Sequence, residues 1–330
     1  MRLGWRLSFS KTELIKLMTV DDRLEKNPPG DKENLIVLSA RSRRITFPRR
    51  PLIMGILNIN DDSFSGDGRL DPGWALSRAA ELVRSGADIV DVGGESARTN
   101  RAAVPEDAEW DRIAPVLAGF SSALALASPR DAAQVFPPLL SVNTWRTSVA
   151  RRALDSGCDL LNDLSALPDD SHARLCAASG AALLIMHSRG QPKIPHTHIA
   201  YSDILAELEE FFRSRLLRAG AAGVAREQLI LDPGIDFAKQ AGDNLRIYRE
   251  LDRLHVFRRP ILLPVSRKGT IGRVLSIPDP AMRDPGTVAC LVAGALRGAS
   301  LFRVHNVEAA WHALRSLELL DPATPPSPSA

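Results

Sequence analysis

Asn58, Asn143, Asn162, His187, Asp232, Lys268 and His305 share one kind of address, each just beyond a short apolar run, and Arg303 lies inside the last of these runs. The set divides into amide and carboxylate groups suited to a polar heterocycle and cations suited to an anion. Asp232 sits in Leu231-Asp-Pro-Gly-Ile-Asp-Phe-Ala-Lys239, at the end of an apolar run and before a Pro-Gly turn. A carboxylate there can accept two hydrogen bonds from an amidine-like N–C–NH2 edge, such as that of guanine or a pterin. Ser266-Arg267-Lys268 sets two cations side by side. In Arg303-Val304-His305 the alternation turns both outer side chains to one side of a strand. Together with Arg98, at the end of Asp88-Ile-Val-Asp-Val-Gly-Gly-Glu-Ser-Ala-Arg98, that pair would suit phosphate or pyrophosphate. The stretch 54–68, MGILNINDDSFSGDG, reads as a strand followed by a polar, glycine-bearing loop that offers Ser, Asp and backbone N–H groups to a ligand.

The runs that carry these residues span 52–57, 89–92, 139–142, 160–161, 183–186, 229–231, 261–265 and 301–304, with helix-length stretches between them. Strands alternating with helices predict parallel βαβ units, and eight such units close a (β/α)8 TIM barrel of the α/β class. In that architecture the strand ends and following loops of one face build the site. Helices are predicted from Asp71-Pro-Gly-Trp-Ala to Ser85-Gly86, from Pro105-Glu-Asp onward, over 146–154 with Thr144 as cap, over 206–217 and over 289–296. Residues 1–50 form an N-terminal extension. It is expected to hold a short amphipathic helix at 11–17, broken at Asn27-Pro-Pro-Gly30, and β-type residues over 35–47 consistent with a hairpin closing the barrel floor. The barrel is expected over 51–320, with 321–330, rich in Pro and Ser, as a disordered tail.

Composition bounds the partners. The chain has 330 residues, with 45% hydrophobic and 25% charged, as in soluble globular proteins, and a barrel of this kind forms as one domain of ~250 residues. A net charge of +3 gives no reason to expect a nucleic-acid partner. Cys158, Cys176 and Cys290 are odd in number and lack paired spacing, so neither a disulfide frame nor a zinc knuckle is expected. No segment reads as a signal peptide or a membrane span, and the expected compartment is the cytoplasm. His196-Thr-His198 has the look of a metal pair, but it sits in a Pro-rich stretch without a third ligand and reads as a solvated loop.

The blocks MGILNINDDSFSGDG, DIVDVGGESAR, SVNTW, LLNDLS, LIMHSRGQP, LDPGIDFAK, PVSRKGTIG and FRVHNV resemble, in order, those of the dihydropteroate synthases, pterin-binding barrels. The resemblance covers roughly residues 50–315. It implies a transferase of folate biosynthesis that condenses 7,8-dihydropterin-CH2-pyrophosphate with 4-aminobenzoate to give dihydropteroate and pyrophosphate. Carried over by position, it implies Asn58 as the protein's Mg2+ ligand, and Asn143, Asn162 and Asp232 at the pterin edge with Lys268 touching the ring. Arg303 and His305, helped by Arg98, would hold the leaving pyrophosphate. Phe237 would flank the aminobenzoate ring, and Ala97 and Ser266 complete the substrate contacts. The resemblance also implies a homodimer.

The chain departs from the family pattern at several positions. Asn143 replaces the usual Asp, which keeps the shape but removes the charge and adds a donor. Asn60-Asp61 replaces Thr-Pro, and Gly66-Asp67 inverts Asp-Gly. Ala97 and Thr99 replace Thr and Pro, Pro264 replaces Gly, and Gly269 replaces Ser, the last removing one hydroxyl from the aminobenzoate pocket. These changes leave two alternatives to a synthase with ordinary substrates. One is a non-catalytic or acceptor-altered pterin-binding paralogue. The other is a methyltetrahydrofolate-type methyltransferase, against which the Arg303/His305 pair argues because that chemistry expels no pyrophosphate.

Overall fold

The structure is a computed structural model that describes residues 35–60, 68–96, 102–194 and 199–320. A compact unit begins at Ile36, and Leu35 is the only described residue before it. The helix and break expected at 11–30, and the tail 321–330, lie outside the described residues.

Two antiparallel strands open the unit, β1 (Ile36–Ala40) and β2 (Arg43–Phe47). Eight parallel strands follow: β3 (Leu52–Asn58), β4 (Ile89–Gly93), β5 (Leu139–Thr144), β6 (Leu160–Asp163), β7 (Ala182–Met186), β8 (Leu229–Asp232), β9 (Leu262–Leu263) and β10 (Leu301–Val304). The sheet runs β8-β7-β6-β5-β4-β3-β10-β9, and a parallel bridge from Leu231 to Ile261 joins its two edges. The chain is therefore a (β/α)8 barrel, with a strand at each of the eight apolar runs.

Helices return the chain between strands: α1 (Pro72–Arg84), α2 (Glu106–Ala123), α3 (Thr147–Asp155), α4 (Ser171–Ser179), α5 (Ile204–Ala221), α6 (Ala241–Arg249), α7 (Gly269–Leu275), α8 (Asp284–Ala295) and α9 (Val307–Leu320). Local chemistry sets their ends. Asp71 accepts from the Trp74 N–H at 2.5 Å and Pro72 starts α1, while Asp203 accepts from the first N–H groups of α5. The third helix differs from expectation. It starts at Thr147 rather than at 146, and Thr144 ends β5 with its hydroxyl accepting from the Arg146 N–H at 3.1 Å. Arg146 precedes the helix with extended backbone, and its guanidinium binds Glu95 and Glu109.

Strand alternation splits the core into two layers. Outward residues such as Ile53, Val90, Val142, Leu161, Leu183, Leu231 and Phe302 pack under the helices. Inward residues Leu52, Met54, Ile89, Leu139, Leu160, Ala182, Leu184, Leu262 and Leu301 fill the lower barrel. Leu38, Ala40, Ile45 and Phe47 of the β1–β2 hairpin join this inner cluster. The hairpin thus shares the barrel core, and the boundary expected at residue 50 falls inside the unit that begins at Ile36. Moving up each strand, the inward positions turn polar, from Leu139 through Ser141 to Asn143, and from Leu301 through Arg303 to His305.

Candidate active site

The polar ends of these strands open on a cavity of about 700 Å³. Asn58, Asn143, Asn162, Asp232, Phe237, Ser266, Lys268, Arg303 and His305 all line it. Ala97 and Arg98 lie outside the described residues, as do Asp61–Asp67 and the pair His196 and His198.

At the base of the cavity stands Asp91 of β4, fully buried. Its Oδ1 accepts from Ser141 Oγ at 2.5 Å, and its Oδ2 accepts from Asn162 Nδ2 at 3.0 Å and from Arg303 Nε at 2.7 Å. Asn143 Nδ2 lies 3.5 Å from the same oxygen, at the limit of hydrogen bonding. An ionised carboxylate only accepts, so Asp91 turns the amide N–H groups of both asparagines toward itself and their carbonyl oxygens away. Strand register explains the meeting: Asp91 pairs with Ser141 and Asn143 with Asn162 across neighbouring strands. Asp91 does not close its apolar run as the other polar residues do; its signal in the sequence is that it shares the inward phase of Ile89 and Gly93.

Asp232 is buried at the end of β8, where its Oδ1 accepts from the Gly234 N–H at 2.7 Å. Burial pushes its pKa up to about 6, against the backbone hydrogen bond and the nearby cations Lys268, Lys239 and Arg303. Lys268 donates to the Ile235 carbonyl at 2.9 Å and stands 5.1 Å from the centre of the Phe237 ring; burial lowers its pKa. Ser266 Oγ lies 2.7 Å from His305 Nδ1 and accepts from the His305 N–H at 3.1 Å, fixing that imidazole. Arg267 departs from the expected pair of cations. Its guanidinium binds Asp284 at 2.8 and 3.0 Å, and of the two only Lys268 faces the cavity.

Two buried networks hold the loops around this centre, and neither was read from sequence. Lys239 Nζ donates to the carbonyls of Gly234 and Phe237, each at 3.0 Å, and meets His187 Nδ1 at 2.7 Å. It ties the loop after β8 to the end of β7. Burial lowers Lys239 to about 7 and His187 to about 4. His187, one of the strand-end residues picked out from sequence, is absent from the cavity lining and instead supports Lys239 and packs edge-on against Phe211. Glu95 anchors the other network. It accepts from the Val104 N–H at 3.1 Å and binds Arg146 at 2.6 Å and Lys193 at 3.2 Å. Lys193 also donates to the Ser96 carbonyl at 2.8 Å, so the loops after β4 and β7 are fastened together. Such long-range ion pairs leave no local pattern in a sequence.

The cavity lining thus combines the acceptors of Asn143, Asn162 and Asp232, the cations Lys268 and Arg303, and an aromatic ring beside Lys268. That arrangement suits a flat, polar heterocycle bearing an anionic group.

Comparison with known proteins agrees with this chemistry. A family model described as pterin binding enzyme matches residues 54–305. The dihydropteroate synthase of Escherichia coli K12 is 35% identical over 272 residues, which cover 81% of this chain and 91% of that protein. The Yersinia pestis dihydropteroate synthase, solved with a sulfonamide drug complex, superposes with a TM-score of 0.76 at 34% identity, covering 86% of this chain and 98% of that one. The Thermus thermophilus enzyme in complex with 4-aminobenzoate gives 0.73 at 36% identity, with coverage of 86% and 99%.

Proposed function

This chain belongs to the pterin-binding enzyme family, and we propose on that footing that it works as a dihydropteroate synthase, a transferase of folate synthesis. Its reaction joins 7,8-dihydropterin-CH2-pyrophosphate to 4-aminobenzoate and releases pyrophosphate. The observation that carries the reading is the convergence of Asn143, Asn162 and Asp232 with Lys268, Arg303 and His305 on one cavity.

In the proposed roles, the Asp232 carboxylate accepts from the N–C–NH2 edge of the pterin, and the outward carbonyl oxygens of Asn143 and Asn162 accept from its remaining donors. Arg303, His305 and Lys268 face the side where the C–O bond to pyrophosphate breaks with its electron pair. Cations already in place there stabilise the developing charge without reorganising. The aryl amine then forms the new C–N bond at the methylene carbon and releases a proton to water; a weak nucleophile gains most from being held in line, which falls to Phe237. Ala97 and Arg98 are assigned by the resemblance to the acceptor border and to the pyrophosphate.

Mg2+ is the proposed cofactor. Among the described residues no group of three or more His, Cys, Asp or Glu could hold a metal. Asn58 lines the cavity and offers an amide oxygen, so it would be the protein group that holds the ion, in keeping with Mg2+ sites that use few protein ligands. When bound it would neutralise charge on the leaving group. A homodimer is also proposed. Val274 and Leu275 at the end of α7, Met282 in the turn before α8 and Leu296 just after α8 are exposed, at 55%, 50%, 65% and 71%, and a second copy would cover them. The cytoplasm is proposed as the compartment because Cys158, Cys176 and Cys290 are all unpaired.

The test is product formation by the purified protein with the pterin pyrophosphate, 4-aminobenzoate and Mg2+. Dihydropteroate and pyrophosphate in equal amounts are expected. Binding of the pterin pyrophosphate without product would favour the acceptor-altered paralogue.

A further inference from the structure

We propose that Arg273 is the residue that recognises the carboxylate of the acceptor, in place of the hydroxyl that Gly269 lacks; this rests on the synthase reading above. The two functional groups of 4-aminobenzoate lie at opposite ends of a rigid ring. With the amine directed inward to the pterin methylene, beside Lys268 and Arg303, the carboxylate must point toward the cavity mouth. Among the described cations that line the cavity, Lys239 is buried, and Lys193, Lys268 and Arg303 are partly buried. Arg273 is the exposed one, with a side chain 58% accessible.

Its position fits the task. A Cβ built at Gly269 would lie 3.5 Å from Arg273 Nη1 and 3.4 Å from Asp236 Oδ2. The guanidinium therefore already reaches the spot where a side chain at 269 would begin. Arg273 Nη2 donates to Thr270 Oγ1 at 3.1 Å and stands 3.5 Å from Asp236 Oδ1. Both contacts use one nitrogen, and a guanidinium carries five N–H donors in a fork that matches a carboxylate. Asp236 does not depend on Arg273. It accepts from Thr270 Oγ1 at 2.5 Å, from Asn244 Nδ2 at 3.0 Å and from the Thr270 N–H at 3.2 Å, which offsets its repulsion of an incoming anion. Exposure at the mouth lets Arg273 engage the acceptor without a buried cation being left unpaired before it arrives.

The experiment compares 4-aminobenzoate with 4-aminobenzamide, which keeps the amine and ring but has no charge, in the native protein and in Arg273→Gln. Removing a charge-assisted hydrogen bond should raise KM for 4-aminobenzoate about tenfold or more. The KM for the pterin pyrophosphate, kcat and the constants for 4-aminobenzamide should stay within about twofold. Adding Gly269→Ser to Arg273→Gln should recover part of the lost affinity, because a Cβ at 269 meets only ordinary contacts. Equal losses for both acceptors, or none, would overturn the assignment. Calorimetric titration of both acceptors into protein loaded with the pterin pyrophosphate separates this idea from the synthase reading. An Arg273-dependent preference for the carboxylate without turnover would sink the synthase reading alone; no preference would sink Arg273.

Discussion

Burial raises Asp232 to about 6, so the acceptor at the pterin edge is mostly charged above that pH and mostly protonated below it. As pH falls through about 6 the carboxyl takes a proton, loses acceptor capacity and presents a donor to a donor. Affinity for a pterin alcohol lacking pyrophosphate, whose leaving group cannot titrate, is expected to be flat above pH ~7 and to drop roughly tenfold per unit well below 6. Titration calorimetry across pH checks this, and a flat profile down to pH 4.5 would mean that Asp232 does not hold the ring. Asn143 gives a second expectation. Its amide nitrogen lies 3.5 Å from Asp91 Oδ2 and the residue lines the cavity, so its carbonyl oxygen is expected to serve as the acceptor that an Asp would provide. Asn143→Asp would add a second carboxylate beside Asp91, and like-charge repulsion between the two would offset what the added charge offers the pterin. The change in pterin affinity is expected to stay under tenfold; a gain of tenfold or more would show the amide to be the poorer partner.

At the scale of the element, the turn after β8 decides whether Asp232 and Phe237 face the cavity together. Gly234 has φ +67, and a Cβ there would run into the His187 carbonyl oxygen at the end of β7. Because that obstacle is backbone, neither strand end can yield without moving the other, and Lys239 binds both sides of the same junction. Gly234→Ala is therefore expected to cost about 2–4 kcal/mol, combining left-handed strain with displacement of backbone. Gly157 provides the comparison, since it has φ +99 with nothing within 4 Å of a Cβ. Gly157→Ala should cost about 1–2 kcal/mol from conformation alone. Denaturant unfolding of both variants measures the difference, and equal costs would remove the steric argument. The Asp-Pro-Gly turn was legible in sequence because turn chemistry is local; the clash with His187, 47 residues away along the chain, was not.

Across the whole molecule, stability and chemistry occupy opposite ends of one barrel. Leu38 of the hairpin is fully buried in the inner cluster with Leu52, Leu139 and Leu301, below the polar layer that faces the cavity. Leu38→Ala should lower stability by about 2–5 kcal/mol through lost burial and the space left behind. The KM values at 25 °C should not move, and a shift in them would mean that the floor is coupled to the site. The sequence by itself determined the eight strands, five of the helices between them and which polar side chains stand at the strand ends. Those features depend on apolar runs, turn residues and the identity of strand-end side chains, all of them local. Only the tertiary structure decided that Asp91 collects Ser141, Asn162 and Arg303, that Arg267 turns to Asp284 while Lys268 turns inward, and that Glu95 fastens two loops. Each of these depends on strand register and on charges far apart in the chain. A sequence states which groups exist, and only the closed barrel fixes which of them come within hydrogen-bonding distance.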